Sequence, residues 1–177
     1  MKAHLAQVNI ALAKGPLEGP VMAGFMARLG EINALADRSP GFVWRLQSGE
    51  GNATYARPYS DDRIIVNLSV WQSIESLREF VYKSAHAPVM RQRQEWFSRL
   101  DRAYLALWWL REGERPTIDD AKERLAHLER HGPTPYAFTF KASFPAETGP
   151  PFIGSAPDTG GAADATAVMC QPRSTVP

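Results

Sequence analysis

Arg63-Ile-Ile-Val-Asn-Leu-Ser-Val-Trp71 is the stretch on which the fold turns. Taken with a two-residue period, it puts Ile64, Val66, Leu68 and Val70 on one face and Arg63, Ile65, Asn67, Ser69 and Trp71 on the other. The aliphatic face suits packing against helices. A face with an amide, a hydroxyl and an indole N–H is costly in a dry core and suits a ligand cavity or a wet interface. A helix opens directly afterwards, with Ser73 placed as its cap and Ile74, Leu77, Phe80 and Val81 as its buried stripe.

Upstream, residues 3–10 alternate in the same way, so that Leu5, Gln7 and Asn9 oppose a more apolar face. After a Gly/Pro loop, Val21, Met22, Phe25, Leu29, Ile32 and Ala36 recur at helical spacing to about Asp37, where Ser39-Pro40-Gly41 ends the helix. Phe42 to Gln47 reads as a second strand, with Phe42, Trp44 and Leu46 on one face and Arg45 on the polar one. Ser48 to about Asp62 is an exposed connection.

Downstream, Pro88 interrupts the helical pattern and leaves His86 at the break; helix resumes from Val89 to Arg99. Residues 103–110 are apolar throughout, as expected of a central strand buried on both sides. Thr117-Ile-Asp-Asp has capping-box spacing and opens a helix to about Arg130, which Gly132-Pro133 stops. Tyr136 to Phe140 reads as a last short strand with its aromatic rings on one face. The domain thus covers 1–145, and residues 146–177, rich in Gly, Pro and Ala without periodicity, read as a disordered tail.

Composition narrows the function classes. Twenty basic against nineteen acidic side chains leave no net field to attract nucleic acid or anionic lipid. One cysteine permits no internal disulfide, no signal peptide opens the chain and no apolar window reaches membrane-span length, so a soluble cytoplasmic protein is expected. No Gly-rich phosphate loop occurs, and Ser69 has no evident His and carboxylate partners.

The order β, α, β, β, α, β, then a helix and a short strand, is that of a ferredoxin-like α+β unit with helices on one face of an antiparallel sheet. The other face is expected to carry Gln7, Asn9, Arg45, Gln47, Asn67, Ser69 and Trp71, and to be closed by a second copy in a two-fold homodimer. Arg45 and Asn67 are candidates to hold an oxyanion, with Gln7, Asn9 and Ser69 as further polar contacts and Trp71 packing on a substrate ring. The alternative is that these groups meet across the dimer or hold water. Trp44, Trp96, Trp108 and Trp109 are candidates for an aromatic wall or for core; Trp96 is retained as a substrate contact. His86 is the candidate base, or else a cap fixing the helix break. The arginines of residues 91–102 read as a solvated face, and His127 and His131 as exposed neighbours on one helix face.

Asn33-Ala-Leu-Ala, Gly41-Phe-Val-Trp-Arg-Leu, Asn67-Leu-Ser-Val-Trp, Ser84-Ala-His, Arg93-Gln-Glu-Trp-Phe, Leu107-Trp-Trp and Gly132-Pro-Thr-Pro-Tyr-Ala-Phe together resemble an uncharacterised bacterial domain family. That family is of the dimeric α/β-barrel superfamily and related in fold to antibiotic-biosynthesis monooxygenases. The resemblance covers residues 3–145. It implies a homodimer with a buried small-molecule pocket. It also implies chemistry ranging from cofactor-free oxygenation to haem enzymes, with His86 as general base or, were haem bound, its ligand. Members carry a Gly-His turn after the double Trp where this chain has Gly113-Glu-Arg-Pro116, so no role passes to a His there. The expectation is a cofactor-independent monooxygenase-like enzyme acting on an aromatic or polyketide-like compound. The alternatives are a haem enzyme, or a ligand-binding, stress-associated module without turnover.

Overall fold

The computed structural model describes residues 2–47, 58–83 and 92–148. β1 (Ala3–Ala13), α1 (Ala23–Asp37), β2 (Phe42–Arg45), β3 (Ile64–Trp71) and α2 (Ile74–Lys83) are followed by β4 (Phe97–Ser98), β5 (Leu105–Arg111) and α3 (Ile118–His131). β1 is the spine of one antiparallel sheet. β3 pairs with one of its edges from Leu5 to Leu12, while β5 and then β4 share the other, and β2 lies outside β3. This is the ferredoxin-like arrangement that the sequence order predicts, with β5 as its fourth strand.

Both faces of the sheet are covered. Val8, Ile10, Val66, Leu68, Ala106 and Trp108 form the aliphatic core, onto which α3 lays Ala121, Leu125 and Leu128. The opposite face meets α1 and α2. There Leu5, Trp71 and Leu107 pack with Ile74 and Leu77, and Ala13 and Ile65 pack with Met22 and Trp96. Period-2 reading therefore sorted the residues of β1 and β3 to the right faces but assigned the layers wrongly. The polar face is not left open for a second copy, because the protein's own α1 and α2 cover it. The physical reason lies in α3, whose three-residue apolar stripe is the complement that the aliphatic face needs.

Three local expectations change. A register shift between Phe42 and Trp44 turns Phe42 onto the α2 side against Trp71, away from Trp44 and Leu46, which pack under α3. Residues 92–96 are helical, but Phe97 and Ser98 leave the helix to pair with Ala13 and Leu12. β5 is buried on both faces yet lies at the edge of the sheet, where only an isolated bridge from Leu107 to Phe138 continues it. Residues 136–140 accordingly form no strand, and Tyr136 turns to the α3 side while Phe138 and Phe140 join the α2 side. The helix break at 84–91 and the tail beyond 148 lie outside the described residues.

The capping box forms as spaced: Asp120 N–H donates to Thr117 Oγ1 at 3.1 Å, and Thr117 N–H donates to Asp120 Oδ2 at 2.8 Å. Replacing Thr117 by Ala removes the acceptor for an orphan helix N–H and is expected to lower stability by about 1 kcal/mol, read from urea unfolding.

Candidate functional site

A cavity of about 350 Å³ lies between the polar face of the sheet and the two helices. α1 supplies Phe25, Leu29, Ile32 and Ala36, spaced four, three and four residues apart, as one wall; Leu77, Phe80 and Val81 of α2 supply another. The α1 stripe that reads as core in the sequence is the wall of an open cavity, and Ala36 alone is buried in that helix.

The floor is a directed chain of hydrogen bonds. Trp71, 1 % exposed, donates Nε1–H to Ser69 Oγ at 3.0 Å; Ser69 donates to Gln7 Oε1 at 2.8 Å; Gln7 donates Nε2–H to Asn9 Oδ1 at 3.0 Å. An indole N–H can only donate, so Ser69 is the acceptor in the first link. Ser69 then places its own proton on the Gln7 carbonyl oxygen, and Gln7 turns its amide N–H to Asn9, which accepts. Asn9 is left with its NH2 group at the end of the chain. Asn67, the cross-strand partner of Asn9, is exposed toward the cavity and makes no side-chain hydrogen bond among the described residues. The cavity thus offers amide donors, at one place, to an acceptor oxygen such as a ketone, enolate or phenolate.

Most of the candidates from the sequence meet here: Gln7, Asn9, Arg45, Asn67, Ser69, Trp71 and Trp96 all line the cavity. Their roles differ from expectation. Arg45 is clamped by Asp37 through Nε to Oδ1 at 2.8 Å and Nη2 to Oδ2 at 3.1 Å, a bidentate pair that already engages its charge. Trp71 is sunk in the floor, stacked on Phe80 at 5.1 Å and edge-on to Phe42 at 5.3 Å. Ser69 and Gln7, each 6 % exposed, are hydrogen-bonded to one another, and Gln7 in turn to Asn9. His86 lies outside the described residues.

Sequence reasoning missed Arg28, and assigned Arg93 to a solvated face. Both line the cavity, Arg28 over the Trp96 ring at 5.4 Å and Arg93 over Tyr104 at 5.6 Å. The one available signal was the i, i+3 spacing of Arg93 and Trp96. Of the other tryptophans, Trp108 is core, Trp44 is half-buried against it, and Trp109 is half-buried and donates to the Phe144 carbonyl at 2.8 Å. His127 is more sheltered than expected, with Nε2 2.8 Å from Thr134 Oγ1 and its ring 4.8 Å from that of Tyr136. Desolvation, and after it His131, Arg124 and Arg130, hold its pKa below the usual imidazole value. It lies at the far face of α3 and takes no part in the cavity.

Among the described residues no group of His, Cys, Asp and Glu is arranged to hold a metal ion, and no helix is long and apolar enough to cross a membrane. A haem needs an axial ligand; the described lining residues offer no His, Cys or Met but do include Tyr82 and Tyr104, and His86 lies outside the described residues.

The sequence pattern of the family described as a domain of unknown function, DUF3291, matches residues 4–151. The chain belongs to DUF3291. No curated protein matches it. Among solved structures, this DUF3291 chain is similar to SnoaB, a cofactor-independent oxygenase from Streptomyces nogalater, at 18% identity and a TM-score of 0.42 over 65% of this chain and 96% of that one. It is also similar to NE2512, a protein of unknown function from Nitrosomonas europaea, at 14% identity and a TM-score of 0.42 over 66% of this chain and 97% of that one.

Proposed function

We propose that the protein is a cofactor-independent oxygenase of a small aromatic or polyketide-like compound, bound between the sheet and α1/α2. The observation that carries this reading is the Trp71–Ser69–Gln7–Asn9 hydrogen-bond chain, which runs toward the amides of Asn9 and Asn67 inside an otherwise largely apolar cavity. Such a site is suited to a ligand whose carbonyl gains negative charge on losing a proton.

The chemistry balances without a reductant. A base removes a proton from a carbon beside the carbonyl or phenol. The resulting enolate passes one electron to O2, and recombination of the two radicals forms a C–O bond. Protonation gives a hydroperoxide that loses water and leaves a new carbonyl, so O2 supplies one oxygen to product and one to water. Asn9 and Asn67 hold the charged oxygen through the first step, and the apolar walls keep bulk water from the intermediate. His86 is the base in this proposal, and the protein is a homodimer in which each protomer encloses its own cavity.

Substituting His86 by Ala tests the assignment. Turnover of a flat phenolic ketone is expected to fall about 100-fold while its affinity is unchanged. Equal loss of affinity with no turnover in either protein would support a second reading, a binding module. One observation favours that module: the described lining contains amides and guanidiniums but no His, Asp or Glu to serve as base.

A further inference from the structure

Arg28 and Arg93 line the cavity, and no acid among the described residues lines it with them. Arg28 donates Nη1–H to the Gly24 carbonyl at 2.8 Å, which together with the Trp96 ring holds the guanidinium in place. The helical residues 92–96 put Arg93 one turn before Trp96, and its guanidinium stands over the Tyr104 ring at 5.6 Å, within the lining of the same cavity. A Cβ on Gly24 would come within 3.1 Å of Trp96 Nε1, so the absence of a side chain there lets α1 close on the ring. Neither Arg28 nor Arg93 makes an ion pair among the described residues, and no described lining residue is Asp or Glu. Arg45, by contrast, is paired with Asp37. Two half-buried cations facing one cavity favour an anion there, because their repulsion and partial desolvation are both relieved by a negative charge.

The amide donors lie further along β1 from the contact of Arg28 with Trp96. Trp96 packs with Ala13 at the end of β1, and its carbonyl accepts from Lys14 N–H at 2.9 Å. Asn9 is four residues earlier on that strand, a separation of roughly 13 Å along the backbone. Phe25 and Leu29 of α1 belong to the apolar wall of the same cavity.

We propose that the ligand is an elongated aromatic anion, whose carboxylate is held by Arg28 and Arg93 while an acceptor oxygen further along meets Asn9 and Asn67. This rests on the cavity being the ligand site and adds the charge of the ligand to it. The carboxylate anchors the molecule through contacts that do not change during reaction, and leaves the carbonyl end to the amides.

Calorimetric titration of the full chain with 2-naphthoate and with its methyl ester tests the proposal. The acid is expected to bind about tenfold or more tightly than the ester at low salt, with the gap narrowing as salt is raised. Arg28→Gln with Arg93→Gln is expected to abolish the preference, the acid then binding no more tightly than the ester. Should the double variant melt early, Arg93→Gln alone is expected to reduce the preference about threefold. Equal binding of acid and ester, or a preference that survives the arginine substitutions in folded protein, overturns the anion subsite and leaves the cavity reading standing. Binding of neither probe overturns both.

Discussion

Replacing Gly41 by Ala is expected to destabilise the protein by about 2 to 5 kcal/mol, the sum of two independent penalties. Gly41 has φ +77°, a region that costs an L residue roughly 1–2 kcal/mol. A Cβ built there would lie 2.6 Å from Ser76 Cβ and 2.7 Å from Ser76 Oγ, inside the first turn of α2. A side-chain tip could swing away, but a helix Cβ cannot move without the helix, and overpacking of that kind costs about 1–3 kcal/mol or more. Ser76 is also held in place, since Ser73 Oγ accepts its N–H at 3.2 Å and its own hydroxyl donates to the Ser73 carbonyl at 3.0 Å. The Gly41 carbonyl in turn accepts from Gln72 N–H at 2.7 Å, so the turn after α1 is fastened to the start of α2. The two helices that wall the cavity are therefore spaced at this contact. Gly30→Ala is the matched control: a Cβ at Gly30 meets nothing within 4 Å inside a regular helix, and a gain of about 0.5–1 kcal/mol is expected. Urea unfolding of both variants reads the contrast, and a Gly41→Ala variant within 1 kcal/mol of the wild type would contradict the packing described.

Ser69→Ala is expected to cost about 3 kcal/mol, although it removes a single oxygen atom. It strands two buried groups, the Trp71 indole N–H and the Gln7 carbonyl oxygen, each at roughly 1–3 kcal/mol. A cycle with Trp71→Phe isolates the link. Phe has no N–H to strand, so Ser69→Ala is expected to be cheaper by about 1–2 kcal/mol in that background. The loss extends to binding, because Gln7 is then free to turn its amide and Asn9 no longer has a fixed donor direction. Additive effects in the cycle would show that the chain does not act as a unit.

The alternation in residues 63–71 and 3–10 made the composition of each sheet face legible, down to the set of polar side chains that share the cavity. It did not reveal which layer covers which face. An aliphatic face can pack against any apolar stripe, and the stripes of α1 and α3 look alike in sequence although one walls a cavity and the other fills a core. The shift at Phe42 was likewise hidden, because a strict two-residue period has no term for a bulge. Residues 136–140 alternate as a strand would, but a strand also requires an edge to pair with, and only Leu107 offers one. The anion-binding arginines escaped notice for a related reason: charge on a helix is normally solvated, and only contact with Trp96 and Tyr104 distinguishes Arg28 and Arg93 from their neighbours. The clamp on Arg45 needed Asp37, eight residues away and across a turn, to be seen beside it.

The most direct test of the central claim is a crystal structure of the protein with a neutral ketone, 2-acetonaphthone, bound. The ring is predicted between the sheet and α1, with its carbonyl oxygen within hydrogen-bond reach of the Asn9 or Asn67 amide. A probe lodged under α3 on the aliphatic face, or held at the surface with the cavity empty, would contradict it.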